Sequence, residues 1–129
     1  MKQKRQILFN FLAMLIWMAV IFSFSQQNGE SSQSLSNHLL ALLGLEGEMA
    51  SFILRKLAHW TEYLILAFLT ARFVKSAGLS PRWILIWVIM FAFSDEFHQS
   101  FIAGRVASLW DVGVDTFGGL VGYWLFSKK

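Results

Sequence analysis

The chain has 129 residues, of which 56% are hydrophobic, 16% aromatic and 15% charged, with a formal net charge of +3. That balance is too apolar for an ordinary soluble domain of this size and points to lipid as solvent. The absence of cysteine excludes disulfides, thiolate metal sites and a cysteine nucleophile, and the basic residues flank apolar runs instead of forming an aromatic-interleaved patch, which argues against nucleic acid as a partner.

The first element is the apolar run over residues 7–24, interrupted only by Asn10 and Ser23 and preceded by Lys2, Lys4 and Arg5. Its length suffices to cross a hydrocarbon core of about 30 Å. A cleaved signal peptide shares the basic flank, but the run exceeds the usual apolar region and no A-x-A-like site follows, so a retained span is expected. The polar stretch that follows, Gln26 to Gly29 with several serines, cannot stay unsatisfied in hydrocarbon, so Ser25 to Ser51 is read as an outer segment. Within it Leu35, Leu39, Leu42 and Leu43 recur at helical spacing. The stretch Leu35 to Leu45 is therefore either a short amphipathic helix on the outer surface or a loop packed over the bundle.

Three further spans are predicted, over Phe52 to Phe73, Arg82 to Phe101 and Leu109 to Phe126. Ser80 and Pro81 read as an N-cap with proline at the first helical position of the third span. Ser108 and Asp111 resemble a capping box opening the fourth. The whole chain is thus expected to form a single all-α domain over residues 1–129, a compact bundle of four transmembrane helices.

Charge sets the expected orientation. With the N-terminus inside, four crossings put Lys2, Lys4, Arg5, Arg72, Lys75, Arg82, Lys128 and Lys129 at the cytoplasmic ends, which is eight of the eleven basic residues and none of the acids. Arg55, Lys56, Arg105 and all eight acids fall toward the outer face. Both termini are then cytoplasmic.

At that outer end, Lys56, His59 and Tyr63 share a helical face by i, i+3 and i+7 spacing, with Glu62 adjacent. The third span ends in Asp95, Glu96, His98 and Gln99, of which Asp95, His98 and Gln99 share a face. The fourth opens with Asp111 and Asp115 one turn apart, continued along nearly the same stripe by Gly118, Gly119 and Gly122. Small residues permit close helix approach, so this stripe is expected to face the bundle and carry the aspartates inward. Arg105, in the short outer turn, is placed to reach the group as a bidentate partner for carboxylate or phosphate. Convergence of these residues in one outer pocket is the central expectation, because ionisable groups at membrane depth are costly and normally face the protein interior or a wet cavity.

Each residue also has a plainer role open to it. Asp111 serves equally well as a capping acid at a positive helix end, and Arg55 and Lys56 as snorkelling interfacial anchors. Trp17, Trp60, Trp83, Trp87, Trp110 and Trp124 read mostly as anchors or packing. The network joining the ionisable groups is open to a purely structural reading. His59 and His98 near several carboxylates are suited to acid–base work or ligation. Together with Asp95, Glu96, Asp111 and Asp115 they supply enough nitrogen and oxygen ligands for a divalent ion, although no HExxH or Glu-x-x-His pattern strengthens this.

The strings Arg55 to Tyr63 (RKLAHWTEY), Ser94 to Phe101 (SDEFHQSF), Gly104-Arg105 and Asp111 to Gly119 (DVGVDTFGG), with IFSFSQ closing the first span, resemble the VanZ-like family of bacterial membrane proteins over nearly the whole chain. The resemblance implies a cell-envelope setting, since that family is named for a protein conferring low-level teicoplanin resistance. It also implies that Lys56, His59, Asp95, Glu96, His98, Gln99, Arg105, Asp111 and Asp115 are the functional positions.

Two functions follow as alternatives. In one, the protein is a membrane enzyme acting on a lipid or lipid-linked envelope precursor, with His59, Asp95, Glu96, His98, Asp111 and Asp115 in the chemistry and Lys56, Glu62, Tyr63, Gln99 and Arg105 in substrate binding. In the other, it binds an amphiphilic glycopeptide without catalysis. Transport is the weaker reading, with no inverted repeat apparent.

Overall fold

The computed structural model describes residues 1–25, 29–101 and 109–127, and within them every regular element is a helix. The order is α1 (Lys2–Ser25), α2 (Gly29–Leu42), α3 (Glu48–Ser76), α4 (Arg82–Gln99) and α5 (Leu109–Phe126). The all-α expectation therefore holds, and α1, α3, α4 and α5 fall where the four apolar segments were read, with α3 extending beyond its expected ends on both sides and α4 stopping at Gln99, short of Phe101. Among the described residues one helix, over Lys2–Phe24, is by length and composition apolar enough to cross a membrane. The uniformly apolar run belongs to α1 alone. In α3, α4 and α5 the polar residues crowd one end of each helix and dilute the apolar run.

Helix α3 is the hub, packing against each of the other four helices and most extensively against α5. Its direction relative to its neighbours is set by paired contacts. Asn10 and Phe11 of α1 meet Arg72 and Phe73 of α3, and Trp17 meets Glu62, so the two helices are antiparallel. Lys56, His59 and Phe68 of α3 meet Asp111, Asp115 and Phe126 of α5 in the same order, so these two run parallel. Trp87 and His98 of α4 meet Met18 and Phe22 of α1, which sets α4 parallel to α1. The result is an up-down-up-down arrangement of α1, α3, α4 and α5.

Periodicity explains which faces meet. On α1 the inward residues are Asn10, Met14, Trp17 and Ile21, an i, i+4, i+7, i+11 stripe. On α4 the stripe of Ile84, Val88, Phe91 and Ala92 continues without turning into Asp95, Glu96 and Gln99. On α5 it is Val112, Asp115, Gly118, Gly119 and Gly122. The glycines allow the closest approach in the bundle: a Cβ at Gly118 would collide with the Trp60 carbonyl oxygen, and one at Gly119 or Gly122 with Val88 or Ala67. The expectation that this stripe faces the bundle is met.

Helix α2 forms where a short surface helix or a loop was expected, but it starts earlier and stops at Leu42. Gly44, at φ 75°, closes it with Leu45 N–H donating to Leu40 C=O and Gly44 N–H donating to Ala41 C=O, a Schellman ending. Gly78 ends α3 in the same way. Among the residues of α2 whose side chains are described, Leu40 and Ser36 turn inward, while Leu35, Leu39 and Leu42, and Leu43 beyond the helix, stay exposed. The capping expected at Ser80 is corrected: α4 starts at Arg82 after Pro81, without a side-chain cap bond, and the Ser80 carbonyl instead accepts from Trp83 N–H.

Candidate functional site

Three ionisable side chains of α3 point toward partners on other helices. Lys56 pairs with Asp111 at the start of α5. One turn on, His59 Nδ1 lies 3.5 Å from Asp115 Oδ1 and 3.8 Å from Glu62 Oε2. A further turn on, the Tyr63 hydroxyl donates to Asp95 Oδ2 on α4 at 3.2 Å. The i, i+3, i+7 face of α3 thus carries three successive bridges, two to α5 and one to α4, and the periodicity of a single helix sets their spacing.

Burial is deep. Tyr63 is fully buried, and Asp95 and Asp115 each retain 1% of their surface. Gln99 and Glu96 are buried beside them on α4, at 3% and 6%. Asp95 and Glu96 both lie within electrostatic reach of Asp115. Burial of carboxylates at such depth is costly unless cations or donors compensate it.

The donor atoms of His59, Asp95 and Asp115 lie within 4.8 Å of one another, an arrangement able to hold a metal ion. His59 Nδ1 and Asp115 Oδ1 are buried and have no hydrogen-bond partner among the described residues.

Not every sequence-derived candidate joins this group. The ring of His98 stacks on Phe22 of α1 at 4.1 Å between centroids, so the expected pairing of two histidines over the carboxylates is not what forms: among the described residues the three-ligand grouping contains His59 and not His98. Asp111 meets Lys56 with its carboxylate, so neither residue acts solely as the helix cap or lipid anchor that its position also allowed. Lys56 also lies over the Phe52 ring at 5.2 Å. Arg105 and Ser108 lie outside the described residues.

Two residues that position the site were not singled out for this role from sequence. Asn10 Nδ2 donates to the Arg72 carbonyl at 3.3 Å and Trp17 Nε1 to the Glu62 carbonyl at 2.9 Å, pinning α1 along α3. The signal for Asn10 was present, since an amide within an apolar run must find a partner. Phe22 carried no signal at all.

A helical bundle with buried ionisable side chains gathered at one end, and with one helix long and apolar enough to cross a membrane, is the class that the fold defines. The chain belongs to the VanZ/LLP1 family, whose family model matches residues 9–128. No curated protein and no solved structure matches it.

Proposed function

We propose that the chain crosses the cell membrane four times, through α1, α3, α4 and α5, and acts on a lipid or lipid-linked envelope component in a polar pocket at the outer face. The observation that carries this reading is the triple bridge Lys56–Asp111, His59–Asp115 and Tyr63–Asp95, gathered at one end of the bundle while Lys2, Lys4, Arg5, Arg72, Lys75 and Arg82 collect at the other. The positive-inside rule assigns the basic end to the cytoplasm. The alternating helix directions support this topology, with both described termini at the basic end. So do large apolar side chains on the outside of the bundle, among them Phe9, Ile16, Met90, Phe93, Phe117 and Trp124, because a water-soluble protein rarely exposes so much apolar surface. Helix α2, with its exposed leucines, suits the lipid interface.

In this reading Lys56, assisted by Arg105, neutralises a phosphate on the substrate, and His59, oriented by Asp115, moves a proton. Asp95, held by Tyr63, fixes the electrostatics of the pocket, with Glu96, Gln99 and Glu62 at its margin. Mass spectrometry of lipids from cells lacking and overproducing the protein is expected to reveal a species that changes in opposite directions, with overproduced His59→Gln behaving like the deletion. An unchanged lipid profile in both strains would sink the proposal.

A second reading, binding of an amphiphilic glycopeptide such as teicoplanin without turnover, is favoured by a separate feature. An open groove of about 1230 Å³ lies where α2 turns into α3, lined by Leu45, Met49 and Phe52 beside Glu46, Glu48 and Arg55, and it offers apolar wall and charge together to a molecule with an acyl tail. Under this reading Phe52→Ala lowers teicoplanin binding to the purified protein while the lipid profile stays constant.

A further inference from the structure

We propose that His59, Asp95 and Asp115 are the protein ligands of a divalent cation bound at the centre of the pocket. The inference rests on reading that cluster as a functional site and gives His59 the part of a ligand in place of proton transfer.

Three observations converge. The donor atoms come from three different helices, α3, α4 and α5, yet lie within 4.8 Å of one another. Bonds of about 2.1 Å to a tetrahedral ion separate its ligands by about 3.4 Å, so side-chain adjustments of roughly 1 Å close the shell. Second, Asp115 is 1% exposed and, among the described residues, its Oδ1 accepts no hydrogen bond, while the facing Nδ1 of His59 is also buried and has no hydrogen-bond partner there. Their 3.5 Å contact leaves both atoms with unused bonding capacity aimed at the same point. Buried polar atoms in a packed protein are nearly always satisfied, and an ion accounts for both exceptions together. Third, Asp95 is already oriented. The Tyr63 hydroxyl donates to Oδ2, as an outer-shell donor commonly does for a ligating carboxylate.

The charge balance runs the same way, because Asp95, Asp115 and Glu96 crowd one region of low dielectric and a divalent ion offsets that repulsion directly. One imidazole and two carboxylates, in a chain without cysteine, form a set suited to Mn²⁺ or Zn²⁺. Three protein ligands leave at least one coordination position for water or a substrate oxygen.

The test uses the full chain in detergent, stripped with chelator and dialysed against Mn²⁺ or Zn²⁺, with uptake read by elemental analysis and bound Mn²⁺ by electron paramagnetic resonance. About one ion per chain is expected. Asp115→Asn and His59→Gln should each weaken binding by more than tenfold, Tyr63→Phe by about tenfold, and His38→Gln on exposed α2 not at all. Absence of stoichiometric uptake, or uptake equal in wild type and Asp115→Asn, overturns the proposal. Should the ligand variants fail to fold, Tyr63→Phe, which keeps the buried ring, decides: unchanged affinity counts against the site. Metal uptake with an unchanged cellular lipid profile leaves the ion in place and removes the lipid-directed function. A changed profile without metal uptake does the reverse.

Discussion

Tyr63 and Asp95 face each other across the α3–α4 interface, fully buried, and the tyrosine hydroxyl donates to the aspartate at 3.2 Å. A carboxylate this deep depends on its donors. Tyr63→Phe preserves the ring and removes one of them, so a loss of about 1–3 kcal/mol is expected. Tyr63→Ala also opens a cavity, and the loss should rise to about 3–5 kcal/mol. Unfolding of the detergent-solubilised protein measures both, and equal stability of Tyr63→Phe and wild type would refute the bond.

The α3–α5 seam yields a paired prediction. A methyl group at Gly118 would meet the Trp60 carbonyl oxygen, a backbone atom unable to swing away. Gly118→Ala should therefore destabilise by about 1–3 kcal/mol. Gly113, in the same helix, has nothing within 4 Å of the corresponding position, so Gly113→Ala should be neutral or stabilise by up to about 1 kcal/mol through helix propensity. Melting temperatures of the two variants are expected to move apart from the wild-type value, and a shared direction would contradict the packing.

Lys56 and Asp111 invite a charge swap. Each side chain keeps about a quarter of its surface, 25% and 23%, so the pair is neither fully screened nor fully desolvated. Lys56→Glu places two acids together. Adding Asp111→Lys should recover part of the stability, with a coupling of about 0.5–2 kcal/mol in the double-mutant cycle. Strictly additive effects would show that the two residues do not interact.

The proposed orientation can be read by labelling, because the chain has no cysteine of its own. A single cysteine at exposed Leu45, between α2 and α3, should react with an impermeant maleimide on intact cells. One at exposed Ser80, between α3 and α4, should react only after permeabilisation. Reversed accessibility would invert the topology, and equal labelling at both sites on intact cells would refute the crossing of α3.

Much of this fold is legible locally. The apolar runs and the alignment of Lys56, His59 and Tyr63 on one face depend on spacing within one helix, which 3.6 residues per turn dictates. The small-residue stripe of α5 declares its inward face for the same reason. Hydropathy alone was a weaker guide to α3, α4 and α5, because the residues that build the pocket also lower the apolar content of the helices carrying them.

Periodicity orders side chains around one axis but says nothing of how that axis is rotated against its neighbours. His98 shares a face with Asp95 and Gln99, yet in the assembled bundle it stacks on Phe22 while Asp95 turns to Tyr63. Asn10 and Trp17 find backbone carbonyls at positions separated by 62 and 45 residues, distances over which local pattern carries no information. From its residues alone the chain determined which groups each helix offers and at which end. Only tertiary packing decided that His59, Asp95 and Asp115 meet, because that choice depends on three helices fitting together at once.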